Sequence, residues 1–351
     1  MGKIAIIDAD PIGRYRHRFP NLVCMKLSGF YKEIGHEVIL KTNYDELDRF
    51  DKVFISKVFT DTPFPDQVLK LPNVEYGGTG FYFDKAPGLP LMIEHHMPDY
   101  HLYDEWISKQ TVKSKTEFKE YTDYSIGFLT RGCFRKCQFC VNQKYDHVFP
   151  HSPLQEFYDP TRKKICLLDD NFLGCPNWKV MLQELIDTGK PFKFKQGLDE
   201  RLLTDEKCEM LFNAKYDDAV TFAFDKIEDY NLIESKLKLI RKYTDRVPMF
   251  YVLVGFKNTD KQDIIDMFER INLLRTYHCI PYIMRFQNKN ETPWKNSPYR
   301  SVYITTAAWC NQPSFFKKST LREFASRRLK TGSECIELVD AINPDYLDER
   351  W

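Results

Sequence analysis

The chain has 351 residues, 43% of them hydrophobic and 29% charged, an ordinary globular mixture with room for two domains or one large one. Its 51 basic and 50 acidic side chains leave a net charge of +1, so bulk charge gives nucleic-acid binding no support. No stretch approaches the ~20 apolar residues of a membrane span, and the opening Met-Gly-Lys-Ile-Ala-Ile-Ile-Asp lacks the apolar core and cleavage site of a signal peptide; the cytoplasm is the expected compartment, with no membrane partner.

In chain order, Lys3 to Asp8 reads as a strand, Leu22 to Ile34 has helical apolar spacing, and His36 to Leu40 and Lys52 to Phe59 read as further strands. Asn73 to Tyr76 then runs into Gly77-Gly78-Thr79-Gly80. Strand, helix and strand with short connections imply a parallel sheet, so residues 1–85 are expected to form a small Rossmann-like domain. The glycine run is read as a tight turn, with close approach to a phosphate or corrin side chain as the sharper alternative. Residues 86–121, with Pro87, Pro90 and Pro98, read as a connector.

A second βα series occupies residues 122–290. Its strands are Ser125–Leu129, Ile165–Leu168, Phe192–Lys195, Ala219–Phe224, Met249–Val254 and Tyr282–Phe286, with helices such as Trp178–Asp187, Asp205–Asn213 and Asp260–Arg275 between them. Six such units predict a partial (β/α)6 barrel, whose chemistry belongs at the carboxyl ends of the strands. Residues 291–351 are expected to form a helical extension over or beside that mouth. Thr320-Leu-Arg-Glu323 has the form of a capping box, and Leu321, Phe324, Ala325 and Leu329 share a face at helical spacing. The same stretch sets Lys317, Lys318, Arg322, Arg327, Arg328 and Lys330 against the single acid Glu323. This is a solvated face or a grip for an anionic substrate, nucleic acid or phosphorylated metabolite.

Seven of the ten cysteines are scattered and read as buried small hydrophobes. The other three crowd into Cys133-Phe-Arg-Lys-Cys137-Gln-Phe-Cys140, directly after the first barrel strand. Thiolates are soft ligands suited to iron–sulfur clusters or zinc. Three in one loop can hold three corners of a cubane and leave the fourth iron open to chelate a substrate's amino and carboxylate groups. Gly132 permits a close turn, and Arg131, Arg135 and Lys136 offset the charge of a thiolate-bound cluster. The competing set is zinc on Cys137, Cys140, His147 and His151, which leaves Cys133 idle.

Cys-x3-Cys-x2-Cys with an aromatic before the last cysteine resembles the radical S-adenosylmethionine superfamily. Leu168-Asp-Asp-Asn-Phe172, Gln196-Gly-Leu-Asp-Glu-Arg201, Phe222-Ala-Phe-Asp225, Pro98-Asp99-Tyr100 and Phe19-Pro20-Asn21 are similar, in order, to a subgroup with a cobalamin-binding-like domain before the barrel. The resemblance spans residues 1 to 330. It implies that Cys133, Cys137 and Cys140 ligate a [4Fe-4S] cluster and that Phe139 lies beside the adenine of S-adenosylmethionine, where packing of the loop is the alternative. Asp169-Asp170-Asn171 stands where members often carry Gly-Gly-Glu, so Asp169 and Asp170 become candidates for the methionine ammonium, or else a helix cap. Gln196, Asp199 and Arg201 at the third strand's end, Asp225 after the fourth and Arg285 at the end of the sixth are candidates for ribose and carboxylate contacts; an Asp199–Arg201 ion pair is the bland reading. The implied activity is reductive cleavage of S-adenosylmethionine to a 5′-deoxyadenosyl radical that abstracts hydrogen from an unidentified substrate, with flavodoxin or ferredoxin as electron donor. A cluster-bearing sensor without turnover is the non-enzymatic alternative. The first domain lacks Asp-x-His-x-x-Gly, so tight cobalamin binding is not expected, although binding without an axial histidine stays open. With only Cys24 in that domain, methylthiolation is disfavoured.

Overall fold

Strand β1 (Lys3–Asp8) is buried from its second residue on, as expected of a central strand covered on both faces. It lies in a four-stranded parallel sheet of order β2-β1-β3-β4, with β2 Glu37–Lys41, β3 Lys52–Ser56 and β4 Val74–Gly77. Alternate side chains feed two cores. Ile4 and Ile6 meet Met25 and Leu27 of α1 (Leu22–Glu33), while Ala5 and Ile7 meet Val53, Ile55 and Val68. Asn21 caps α1, accepting from Val23 N–H at 3.1 Å and Cys24 N–H at 3.4 Å.

The computed structural model describes residues 1–14, 17–110, 118–287 and 291–351; residues 111–117 of the expected connector and 288–290 of the expected barrel segment lie outside them. The chain divides into two units, Met1–Asp170 with Cys175–Phe192, and Asn171–Gly174 with Lys193–Trp351. The first unit thus contains the four-stranded parallel sheet, the described connector and the strands expected to open a barrel.

The connector is more than a tether. Tyr100, Leu102, Tyr103, Phe118 and Tyr121 complete the core on the Ile4 face. Asp99 accepts from Ser28 Oγ and Lys32 Nζ, tying itself to α1. The Tyr100 hydroxyl accepts from Ile126 N–H at 2.8 Å and donates to Phe157 O at 2.6 Å, which fastens it to β5 (Tyr124–Gly127). Next come the two-residue antiparallel pair β6 (Thr130–Arg131) and β7 (Phe149–Pro150), then β8 (Lys164–Leu167), parallel to β5. Pro191 O accepts from Ile165 N–H as the chain enters β9 (Phe192–Phe194), within which the division falls. Helix α2 is Trp178–Asp187.

In the second unit, β10 (Thr221–Ala223), β11 (Met249–Val254) and β12 (Ile280–Arg285) form a parallel sheet, with helices α3 (Asp205–Asn213), α4 (Tyr230–Tyr243) and α5 (Lys261–Thr276). Arg270 of α5, only 2% exposed, donates Nη1 to Phe224 O, Asp225 O and Leu253 O and so knits the ends of β10 and β11. Strands thus stand where the barrel strands were expected, with β5 parallel to β8 and β10, β11 and β12 parallel to one another.

The tail packs beside β12. After α6 (Arg300–Cys310), Asn311 accepts from Ile283 N–H at 2.7 Å and donates to Ile283 O at 3.0 Å. The capping box forms at α7 (Leu321–Ala325), which buries Leu321, Phe324 and Ala325. Leu329 departs from expectation. The helix stops at Ser326, a separate helix α8 (Leu329–Asp340) follows, and Leu329 is 92% exposed. The cationic stretch is also less bare than its sequence. Arg322 forks onto Asp340 and Asp348, Glu323 holds Arg350, and Lys317 lies over Trp351. The neutralising acids come from residues the local count leaves out. Among the described residues no helix is long and apolar enough to cross a membrane.

Candidate functional site

The cysteine loop lies in the first unit between the two strands of the β6–β7 pair, where Arg131 faces Phe149. Gly132 starts it with φ +91°, and a Cβ there would meet His147 O at 2.3 Å; only glycine fits both demands. Cys140 N–H donates to Cys137 O at 2.9 Å, closing a tight turn. Cys133, Cys137 and Cys140 are half-buried, whereas the seven scattered cysteines are buried. Two sulfurs already accept backbone N–H groups, Cys133 Sγ from Arg135 at 3.4 Å and Cys140 Sγ from Asn142 at 3.5 Å. Burial pushes the Cys140 thiol up. Gln143 donates its side-chain amide to Cys137 O and to Cys140 O, and Lys136 donates to Gln143 O and pairs with Asp146. Phe139 is half-buried in the same loop.

Both acids after β8 turn toward this loop. Asp169, 1% exposed, accepts from Leu129 N–H, Thr130 N–H and Thr130 Oγ1 at 3.2, 2.7 and 2.6 Å. Burial pushes its carboxyl up to about 7 against those donors. Offered by the sequence to a substrate ammonium, it is instead enclosed by the chain. Asp170 accepts from Gly132 N–H at 2.9 Å and from Asn142 Nδ2 at 2.8 Å.

The histidines of the zinc alternative have other company. His151 stacks on His95 with ring centroids 5.3 Å apart, places Nδ1 3.0 Å from Ser152 Oγ and lies 3.5 Å from Glu94. Burial, then the Arg131 charge, lowers it to about 4. The His147 ring rests against Phe149. Among the described residues no three His, Cys, Asp or Glu side chains converge on a point that one metal ion could occupy. A cubane makes no such demand, because its thiolates bind different irons.

In the second unit, Gln196 is exposed after β9. Asp199 is buried, accepting from Arg201 Nε at 2.7 Å and Asn171 Nδ2 at 3.4 Å, and Arg201 also reaches Asp229 at 3.2 Å. The Asp199–Arg201 pair is thus a largely buried element of a network, not an exposed loop pair. Asp225 accepts from Leu253 N–H at 3.2 Å, and burial raises its carboxyl. Arg285 is exposed and lies over the Trp294 ring at 4.4 Å. Glu200 escaped the sequence reading. It is 1% exposed, accepts from Ala223 N–H, and is pushed up to about 8 by burial and then by the Asp199 charge. Asn142 and Gln143 also escaped it, although two amide side chains so soon after Cys140 were the available signal.

At the carboxyl edge of the first sheet two buried acids, Asp8 and Asp10, bond to the chain itself. Open α/β sheets take ligands where the strand order reverses, here at the ends of β1 and β3. Asp10 fills that place, accepting from Val58 N–H at 2.7 Å, Phe59 N–H at 3.4 Å and Thr62 Oγ1 at 2.5 Å. Asp8 takes the Tyr103 hydroxyl at 2.7 Å. Gly78 has φ +104° and sits so close that a Cβ would meet Lys57 O at 2.3 Å, which makes the glycine run a tight turn. His17, near this edge, spends Nε2 on Phe19 O.

No protein-family model and no curated protein matches the sequence. Among solved structures, the chain is similar to the radical S-adenosylmethionine methyltransferase TsrM from Kitasatospora setae, with cobalamin and a [4Fe-4S] cluster bound, at 12% identity and TM-score 0.51 over 80% of this chain and 71% of that one. The likeness is one of fold, a mixed α/β architecture with parallel sheets like that of a radical S-adenosylmethionine enzyme.

Proposed function

We propose that the chain is a radical S-adenosylmethionine enzyme whose Cys133, Cys137 and Cys140 hold a [4Fe-4S] cluster. One observation carries this reading: three thiols share a short loop whose backbone N–H groups already point at two of the sulfurs. Hydrogen bonds to sulfur are a principal means of tuning such clusters, and the likeness of fold supports the same reading. Bound there, the cluster would supply the electron for cleaving S-adenosylmethionine to methionine and a 5′-deoxyadenosyl radical able to take hydrogen from a substrate.

The chain's part is position and shelter. Asp169 holds the Leu129–Thr130 turn from which the loop departs. Phe139 is proposed to lie along the adenine. Within the second unit, Gln196 offers an exposed amide and Arg201 is oriented by Asp199 and Asp229; these two, with Asp225 and Arg285, stay the proposed candidates for polar contacts. An electron donor of the flavodoxin or ferredoxin kind is the proposed partner. The zinc reading requires His151 to leave Ser152, Glu94 and the His95 stack, and nothing in the loop favours that.

Anaerobic reconstitution should load about four irons per chain, following the ligand count of a cubane. Cys133→Ala, Cys137→Ala or Cys140→Ala should abolish the brown chromophore, and Cys208→Ala should keep it. Dithionite with S-adenosylmethionine should release 5′-deoxyadenosine from the loaded parent. Stoichiometric zinc with negligible iron would overturn the cluster; iron without 5′-deoxyadenosine would leave a sensor.

A further inference from the structure

We propose that Asp170 is a latch that shuts the cysteine loop into its cluster-receiving shape before any iron arrives, with Asn142 as the keeper on the far side. The inference rests on the three cysteines being cluster ligands, and it goes further by naming what sets their geometry.

A single carboxylate spans the loop. Its Oδ2 accepts from the backbone N–H of Gly132, the residue before Cys133, and its Oδ1 accepts from the side chain of Asn142, two residues after Cys140. The two bonds bridge sequence separations of 38 and 28 residues, so the loop is pinned at both shoulders to one point at the end of β8. Asn142 is itself a link toward the ligands, because its own N–H faces the Cys140 sulfur. Anchoring its side chain therefore aims a donor at a thiolate. At the other shoulder Gly132 is held in a conformation that other residues rarely adopt.

The chemistry suits the task. Both bonds are charge-assisted and so stronger than neutral ones. The partner on one side is an N–H and on the other an amide nitrogen, so the pairing fixes which way the Asn142 amide faces. A loop held at both ends has already lost most of the freedom that metal binding would otherwise remove. Neighbouring Asp169 holds Leu129 and Thr130 in the same manner. Asp170 is thus a positioning residue that acts through the loop, and it need not touch S-adenosylmethionine.

The test exploits the complementarity of the pair. Asp170→Ala removes the shared acceptor and should open the latch; Asn142→Asp sets two carboxylates against each other and should do the same. The double variant Asp170→Asn with Asn142→Asp restores one donor and one acceptor and should close it again. The first readout uses metal-free protein and iodoacetamide, with labelling of Cys133, Cys137 and Cys140 followed by mass spectrometry. The second uses reconstituted protein and the rate of iron loss to a chelator. Each single variant should label and lose iron roughly tenfold to a hundredfold faster, the usual scale for a support behind a metal ligand, and the double variant should return toward the parent. Circular dichroism and melting confirm that each variant is folded; should Asp170→Ala fail to fold, Asn142→Asp against the double variant carries the same comparison. Folded single variants that behave like the parent, or a double variant no better than either single, overturn the latch. If the parent takes up no iron while labelling follows the expected pattern, the cluster reading falls and the latch stands.

Discussion

Buried carboxylates are the residues on which this molecule depends most sharply. Glu200 has a folded pKa of about 8 against an ordinary value of 4.5, chiefly through burial. A carboxyl raised on folding favours the protonated folded state. Its contribution to stability is therefore fully present below pH 4.5 and lost as the pH rises through about 8. Glu200→Gln keeps an acceptor for Ala223 N–H and removes the charge, so its melting temperature relative to the parent should be higher at pH 8.5 than at pH 5.5. The difference is worth roughly a few kcal/mol at most, at about 1.36 kcal/mol per pKa unit. An offset that does not change with pH would assign the group wrongly. Asp169 is the contrasting case, because three donors depend on it. Asp169→Asn turns an NH2 toward donors and should cost about 1–3 kcal/mol, the range for leaving a buried donor unpaired, read as a lower denaturation midpoint with unchanged slope. The signal for Asp169 was present in the sequence as an acid after a strand. What it bonds was not, because its partners lie 39 and 40 residues earlier.

At the scale of elements, legibility followed length and periodicity. Strands β1 and β11 and helices α2 and α3 have the limits that apolar pattern and polar flanks predict. The β6–β7 pair, two residues on each side, is too short to carry a period, so the hairpin that frames the cysteine loop left no trace in the pattern. The tail misled in another way. The capping box was readable because its chemistry is local, and Thr320→Ala should cost about 1 kcal/mol of stability. The face drawn from Leu321 to Leu329 failed because the helix ends at Ser326, and no glycine or proline marks that stop. Leu321→Ala should then cost about 2–5 kcal/mol as a core truncation, whereas Leu329→Lys should leave the denaturation midpoint within about 0.5 kcal/mol of the parent, as surface changes do.

For the molecule as a whole, the α/β class and parallel strands were legible from alternation of elements, and the three cysteines from their crowding. The support around those cysteines was not, since Asp170, Asn142 and Gly132 meet only once β8 has folded back beside β5. Asn311, which bonds both N–H and C=O of Ile283, bears on how the chain is made. β12 ends its sheet, and an open strand edge is a template for another chain. Twenty-eight residues separate Ile283 from Asn311. At a synthesis rate of about 5–20 residues per second, that edge waits roughly 1 to 6 s for its cover. Until Asn311 is made, the edge at Ile283 stays open to another strand, and the tail closes it there.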